Sequence, residues 1–107
     1  MNLAAKLQSI RIWEVQNIPR CAPQISLDLL LYCVAQFEAS KAANVKSINL
    51  SLKYSRDRTR QVMQDLITNG YIYKKTNCND TRVVEIYPTK KTLDLIKAYH
   101  EQIKSAL

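Results

Sequence analysis

The sequence has one glycine, one histidine and three cysteines, and each scarcity excludes a class of chemistry. A single glycine, Gly70, cannot build G-x-x-x-x-G-K or G-x-G-x-x-G, so neither phosphate-cradling loop is available. His100 stands in a helix-like segment with no Cys or Ser at a telling spacing, which leaves nucleophilic catalysis without a base and its nucleophile. Cys21, Cys33 and Cys78 are too far apart for a CxxC pair or a zinc ribbon. The expectation is a protein that is not an enzyme and needs neither metal nor cofactor. Long hydrophobic runs are missing too. The longest, LDLLLYCVAQF, is amphipathic, contains Asp28 and Gln36, and is too short to cross a bilayer. MNLAAKLQSIRIWE lacks the apolar h-region and small-residue cleavage site of a secretory signal, which predicts a cytoplasmic protein.

What is present is an ordinary globular chain with an uneven charge. At 107 residues and 47% hydrophobic content there is room for one domain with a modest core, hence a marginal monomer or a dimer. The net charge is +7, of which residues 1–45 carry +1, residues 46–91 carry +6 and residues 92–107 carry none. Cations gathered in one segment are the electrostatic footprint expected for a polyphosphate partner.

That segment also has the clearest pattern. In Tyr54 to Pro88, Ser55 suits an N-cap, since its hydroxyl can accept from an otherwise orphaned backbone N–H. Thr59, Val62, Met63, Leu66 and Ile67 then recur at helical spacing, while Arg56, Asp57, Arg58, Arg60, Gln61 and Gln64 fall mostly off the stripe. Asn69-Gly70 stops the helix, because glycine takes the left-handed conformation without a Cβ clash. YIYKK and RVVEIY read as strands around a turn-like TNCNDT. A cationic helix followed by a ribbon is the working end of a winged helix-turn-helix.

The flanks complete that architecture. We expect one domain over residues 1–107: an N-terminal helix at 1–18, a core helix at 26–40, the helix-turn-helix at 45–53 and 55–69, a wing at 71–87 and a C-terminal helix at 89–107. The fold class is mainly α with a small β-wing (α+β): a three-helix core, a two-stranded antiparallel wing and terminal helices. Leu3, Leu7, Ile10 and Trp13 form the first stripe, and Pro19 and Pro23 bracket a linker. Ser26 is placed as cap of the core helix, whose stripe is Leu27, Leu30, Leu31, Val34 and Phe37, broadened by Leu29, Tyr32 and Cys33. Val45, Ile48 and Leu52 are spaced for a two-turn helix. Many helix-turn-helix units have Ala near Asn49 and Gly near Lys53, so both positions depart from habit. Pro88 ends the sheet and Thr89 caps the last helix, with Leu93, Ile96, Ala98, either Tyr99 or His100, Ile103 and Leu107 on its apolar side. That face requires either the first helix or a second subunit, so a homodimer through the N- and C-terminal helices is expected.

From Ser55 to Lys91 the chain resembles the MarR family of winged helix-turn-helix transcription regulators. Leu66 precedes Gly70 by four, Asp80-Thr81-Arg82 matches the family's D-x-R wing, and Thr89 stands at the helix-opening Thr. The chain departs from the family at Lys91-Thr92, where Lys-Gly is usual, and in having a single helix after the wing. The resemblance implies a sequence-specific double-stranded DNA binder, with the recognition helix in the major groove and Arg82 in the minor groove, held by Asp80. Arg56, Arg58 and Arg60 fan out at about 100° per residue, so one or two would meet bases and the rest phosphates. Asp57 would accept from cytosine or orient an arginine, and Gln61 and Gln64 would serve bases or backbone. Lys74, Lys75, Asn77 and Asn79 complete the phosphate contacts, with Lys53 and Lys46 from the preceding helix; Ser55 caps the helix at the groove.

Two other uses of the fold stand beside this one. A winged helix can serve protein–protein assembly, and a plasmid or phage replication or partition factor would use the same DNA-reading chemistry. Some relatives in the resembled family sense oxidants through cysteine. Cys78 at the wing tip is placed for exposure, whereas Cys33 reads as a small buried hydrophobe.

Overall fold

The computed structural model describes residues 2–19, 23–80 and 82–106, so Cys21, Thr81 and Leu107 lie outside the described residues. The fold is built around one helix, Pro23–Glu38, here α2. Pro23 opens it, since proline's fixed φ suits the first helical position and its missing N–H is not needed there. Ser26, expected as the cap, is therefore inside the first turn and buried. The buried face is Ile25, Leu29, Leu30, Cys33 and Val34, while Leu31 and Phe37 turn outward. A nearly all-apolar helix leaves its stripe underdetermined, and the serine on the inner side hid its true centre. Burial pushes the Cys33 thiol up to about 12.

The next five elements close over α2. A two-residue strand β1, Ala43–Asn44, leads directly into α3, Val45–Leu52. Asn44 and Ser47 form a reciprocal capping box: Ser47 N–H donates to Asn44 Oδ1 at 2.9 Å, and Asn44 N–H donates to Ser47 Oγ at 3.0 Å. This cap holds a helix that its strand-like composition would not. Helix α4 runs over Arg56–Thr68 and buries Thr59, Val62, Met63 and Leu66. Strands β2, Ile72–Thr76, and β3, Val84–Pro88, form the ribbon. β1 adds a third, unexpected strand, giving an antiparallel sheet in the order β1-β3-β2. Ile86 pairs with both Ala43 and Lys74 and, with Ile72, plugs the sheet into the core.

Helix α5, Lys90–Ala106, begins at a knot of hydroxyls. Thr89 stands at the cap position expected, its carbonyl accepting from Leu93 N–H at 3.1 Å, while its hydroxyl donates to Gly70 O at 2.7 Å and Thr92 donates to Tyr71 O at 2.5 Å. Lys91, exposed, donates to Asn69 O at 3.1 Å and lies 4.1 Å from the centroid of the Tyr71 ring. These bonds satisfy carbonyls at the end of α4 and tie the last helix to the helix-turn-helix. Further along, Tyr99 stacks on Trp13 of α1, Leu3–Asn17, with centroids 5.4 Å apart. Its hydroxyl donates to Glu14 at 2.6 Å, and burial followed by that bond raises Tyr99 to about 12. The paired α1 and α5 lengthen the molecule to 53 × 27 × 23 Å.

Candidate nucleic-acid interface

The turn between α3 and α4 sets the interface. Lys53 ends α3 at φ 57°, the left-handed conformation that glycine usually supplies. Tyr54 then donates its hydroxyl to Asp28 of α2 at 2.5 Å, which anchors the turn to the central helix. That bond, chiefly, raises the Tyr54 hydroxyl above its ordinary value. Ser55 caps α4 as expected, accepting from Arg58 N–H at 3.2 Å. The Tyr54–Asp28 anchor had no signal in the sequence, because the two residues are 26 positions apart and neither belongs to a motif. Asn49 is half-buried on α3, and its Oδ1 has no partner among the described residues.

The wing is a self-bonded turn. Asn77 Oδ1 accepts from Asn79 N–H at 2.8 Å and from Asp80 N–H at 3.1 Å. Asp80 Oδ1 accepts from Arg82 N–H at 3.0 Å and from Arg82 Nε at 3.2 Å. The Asp80–Arg82 pair expected from the sequence is thus formed, and it aims a guanidinium whose side chain is 90% exposed. Held at one nitrogen, that fork keeps other donors for a ligand. Asn77 is half-buried and its side-chain oxygen is committed to the turn, whereas Asn79 and Cys78 are exposed.

Several of the expected residues converge. Arg56, Arg60 and Lys74 line one cleft of about 490 Å³ between α4 and the wing. Arg56 also borders a second, of about 740 Å³, together with Lys46 and Arg82. Its lining includes the exposed apolar side chains of Val45 and Leu50, the latter 68% exposed. Lys75 does not join them: strand alternation turns it to the other sheet face, opposite Glu85 in the register. Lys53 and Arg58 are exposed but border neither cleft. Asp57 and Arg60 approach to 3.7 Å with side chains 87% and 80% exposed, so the pair orients more than it stabilises. Among the described residues, no group of three or more His, Cys, Asp or Glu could hold a metal ion, and no helix is long and apolar enough to cross a membrane.

No protein-family model matches the sequence, and no curated protein does. Solved structures do match, over nearly the whole chain. The Staphylococcus aureus MepR–DNA complex superposes with a TM-score of 0.77 at 17% identity, covering 96% of this chain and 80% of that one. MepR described as a transcription regulator of the S. aureus multidrug efflux pump MepA gives 0.73 at 17%, covering 95% and 70%. A Listeria monocytogenes protein assigned to the MarR family of transcriptional regulators, complexed with 26mer DNA, gives 0.67 at 21%, covering 96% and 63%. At these identities the likeness defines the fold: a winged helix-turn-helix of the MarR type, with a helical core and a small antiparallel wing.

Proposed function

We propose that the protein is a sequence-specific double-stranded DNA-binding transcriptional regulator of the cytoplasm, with α4 in the major groove and Arg82 in the minor groove. The observation that carries this reading is the shared cleft of Arg56, from the recognition helix, and Arg82, from the wing. Cations delivered to one surface by two separate elements suit a phosphate-lined duplex, whereas an assembly surface has no need of them. The DNA complexes of the MepR and Listeria proteins, built on the same fold, support it. Ser55, Asp57, Arg58, Arg60, Gln61, Gln64 and Lys53 belong to the helix side of the interface, and Lys74, Asn79 and Asp80 to the wing side. Lys75 and Asn77 serve it indirectly, by shaping the ribbon and its turn.

The protein acts as a homodimer through α1 and α5. Leu3, Leu7, Ile12 and Val15 of α1 are 50–63% exposed, an apolar surface that a second copy would cover. Arg82→Ala tests the DNA reading: duplex affinity falls, and the slope of log K against log salt becomes shallower by about one phosphate-equivalent. Unchanged affinity and slope would remove Arg82 from the interface.

A further inference from the structure

Helical geometry sorts the exposed residues of α4 into three rows. Thr59, Val62, Met63 and Leu66 fix the inner face. At about 100° per residue, the positions opposite are Asp57, Gln61, Gln64 and Thr68. Arg56 and Arg60 fall on the flank beside the wing, where they line a cleft with Lys74 that Asp57 and Gln64 border from the ridge. Arg58 falls on the other flank. A helix lying in a groove presents its outer ridge to the base edges and its flanks to the phosphate walls. On the ridge, Asp57 is already engaged with Arg60. No hydrogen bond among the described residues engages the Gln61 amide, and Gln64 Nε2 has only a 3.5 Å contact with Thr68 Oγ1.

We infer that Gln61 and Gln64 are the base-reading pair of this helix, and that Arg58 contacts a phosphate. The inference rests on the DNA reading above and names the bases it would prefer. A glutamine amide pairs bidentately with adenine, its carbonyl oxygen accepting from N6 and its NH₂ donating to N7. Three residues of helix separate the two Cα positions by roughly 4.5 Å along the axis, close to the base-pair step of about 3.4 Å. Gln61 and Gln64 therefore address adenines in neighbouring A·T pairs.

The test uses the whole chain and the duplex it selects from a random library. Wild type, Gln61→Ala, Gln64→Ala and Arg58→Ala are each titrated with that duplex and with versions in which one base pair is replaced, at several salt concentrations. Each glutamine variant should lose roughly 5- to 150-fold discrimination at one A·T pair, the two pairs being adjacent, with the salt slope unchanged. Gln61→Glu should move the preference at its pair towards cytosine, whose N4 donates to a carboxylate. Arg58→Ala should weaken every duplex alike and lower the salt slope by about one. Glutamine variants that keep the wild-type preference, or an Arg58→Ala variant that relaxes it, would overturn the inference while leaving the DNA reading in place. A wild-type chain that selects no duplex would overturn both.

Discussion

The two ends of this molecule each carry an apolar helical stripe and use it differently. In the recognition unit, the stripe of α4 is buried, with Val62 and Leu66 each 1% exposed against α2 and the sheet. In α1 no residue is buried, and Leu3 and Leu7 are 61% and 63% exposed although they repeat at helical spacing. The first end is finished by its own chain. The second is held to α5 through Trp13, Glu14 and Tyr99 and leaves apolar surface outside. Periodicity reports which side of a helix is apolar, and the partner that side requires need not be in the same chain.

The largest break in this contrast comes from equal truncations at the two ends. Leu66→Ala removes a fully packed side chain and should cost about 2–5 kcal/mol of unfolding free energy. Leu7→Ala in dilute protein should cost less than about 0.5 kcal/mol, rising with protein concentration if a second copy covers it. Denaturant unfolding at two concentrations reads both, and equal costs in dilute protein would erase the distinction.

A smaller effect sharpens the recognition end. Lys53→Gly relieves a left-handed backbone and should raise stability by about 0.5–1 kcal/mol, since the cost of αL to a side chain outweighs glycine's added freedom when unfolded. Unfolding curves check it, and a loss of stability would mean that Lys53 makes contacts worth more than its backbone conformation costs.

The smallest effect concerns the α1–α5 contact. Tyr99, whose ordinary value is about 10, is raised to about 12 in the fold, so folding favours its protonated form. Its contribution is therefore complete below pH 10 and is lost as pH rises through about 12. Trp13 emission, titrated from neutral to alkaline pH, should change near the upper value. A midpoint near the ordinary value would mean that the hydroxyl is neither buried nor held by Glu14.

Where local chemistry and tertiary packing agreed, the sequence was readable. Ser55, the apolar stripe and Asn69-Gly70 mark α4 with a start, a face and a stop, and Asp80-x-Arg82 marks the wing turn; all four are present. β1 escaped because two residues show no alternation, and because the Asn44–Ser47 capping box uses Ser where Glu or Gln is customary. Pro23, bracketing a linker in the sequence, is a helix opener in the fold, so α2 starts three residues before Ser26. The Thr89 and Lys91 bonds to the end of α4, like Tyr54 to Asp28, join residues far apart in the chain, and single-residue patterns do not carry such pairings. The arginines were legible as cations, but their rows around α4 depended on knowing which face is inward.

The most direct test of the central claim is selection of bound duplexes from a random DNA library, followed by sequencing. The account predicts an enriched inverted repeat with half-sites about one helical turn apart, as a two-fold dimer with a recognition helix in each major groove requires. An absence of enrichment, with binding that vanishes at moderate salt, would contradict it and leave only non-specific attraction to a basic surface.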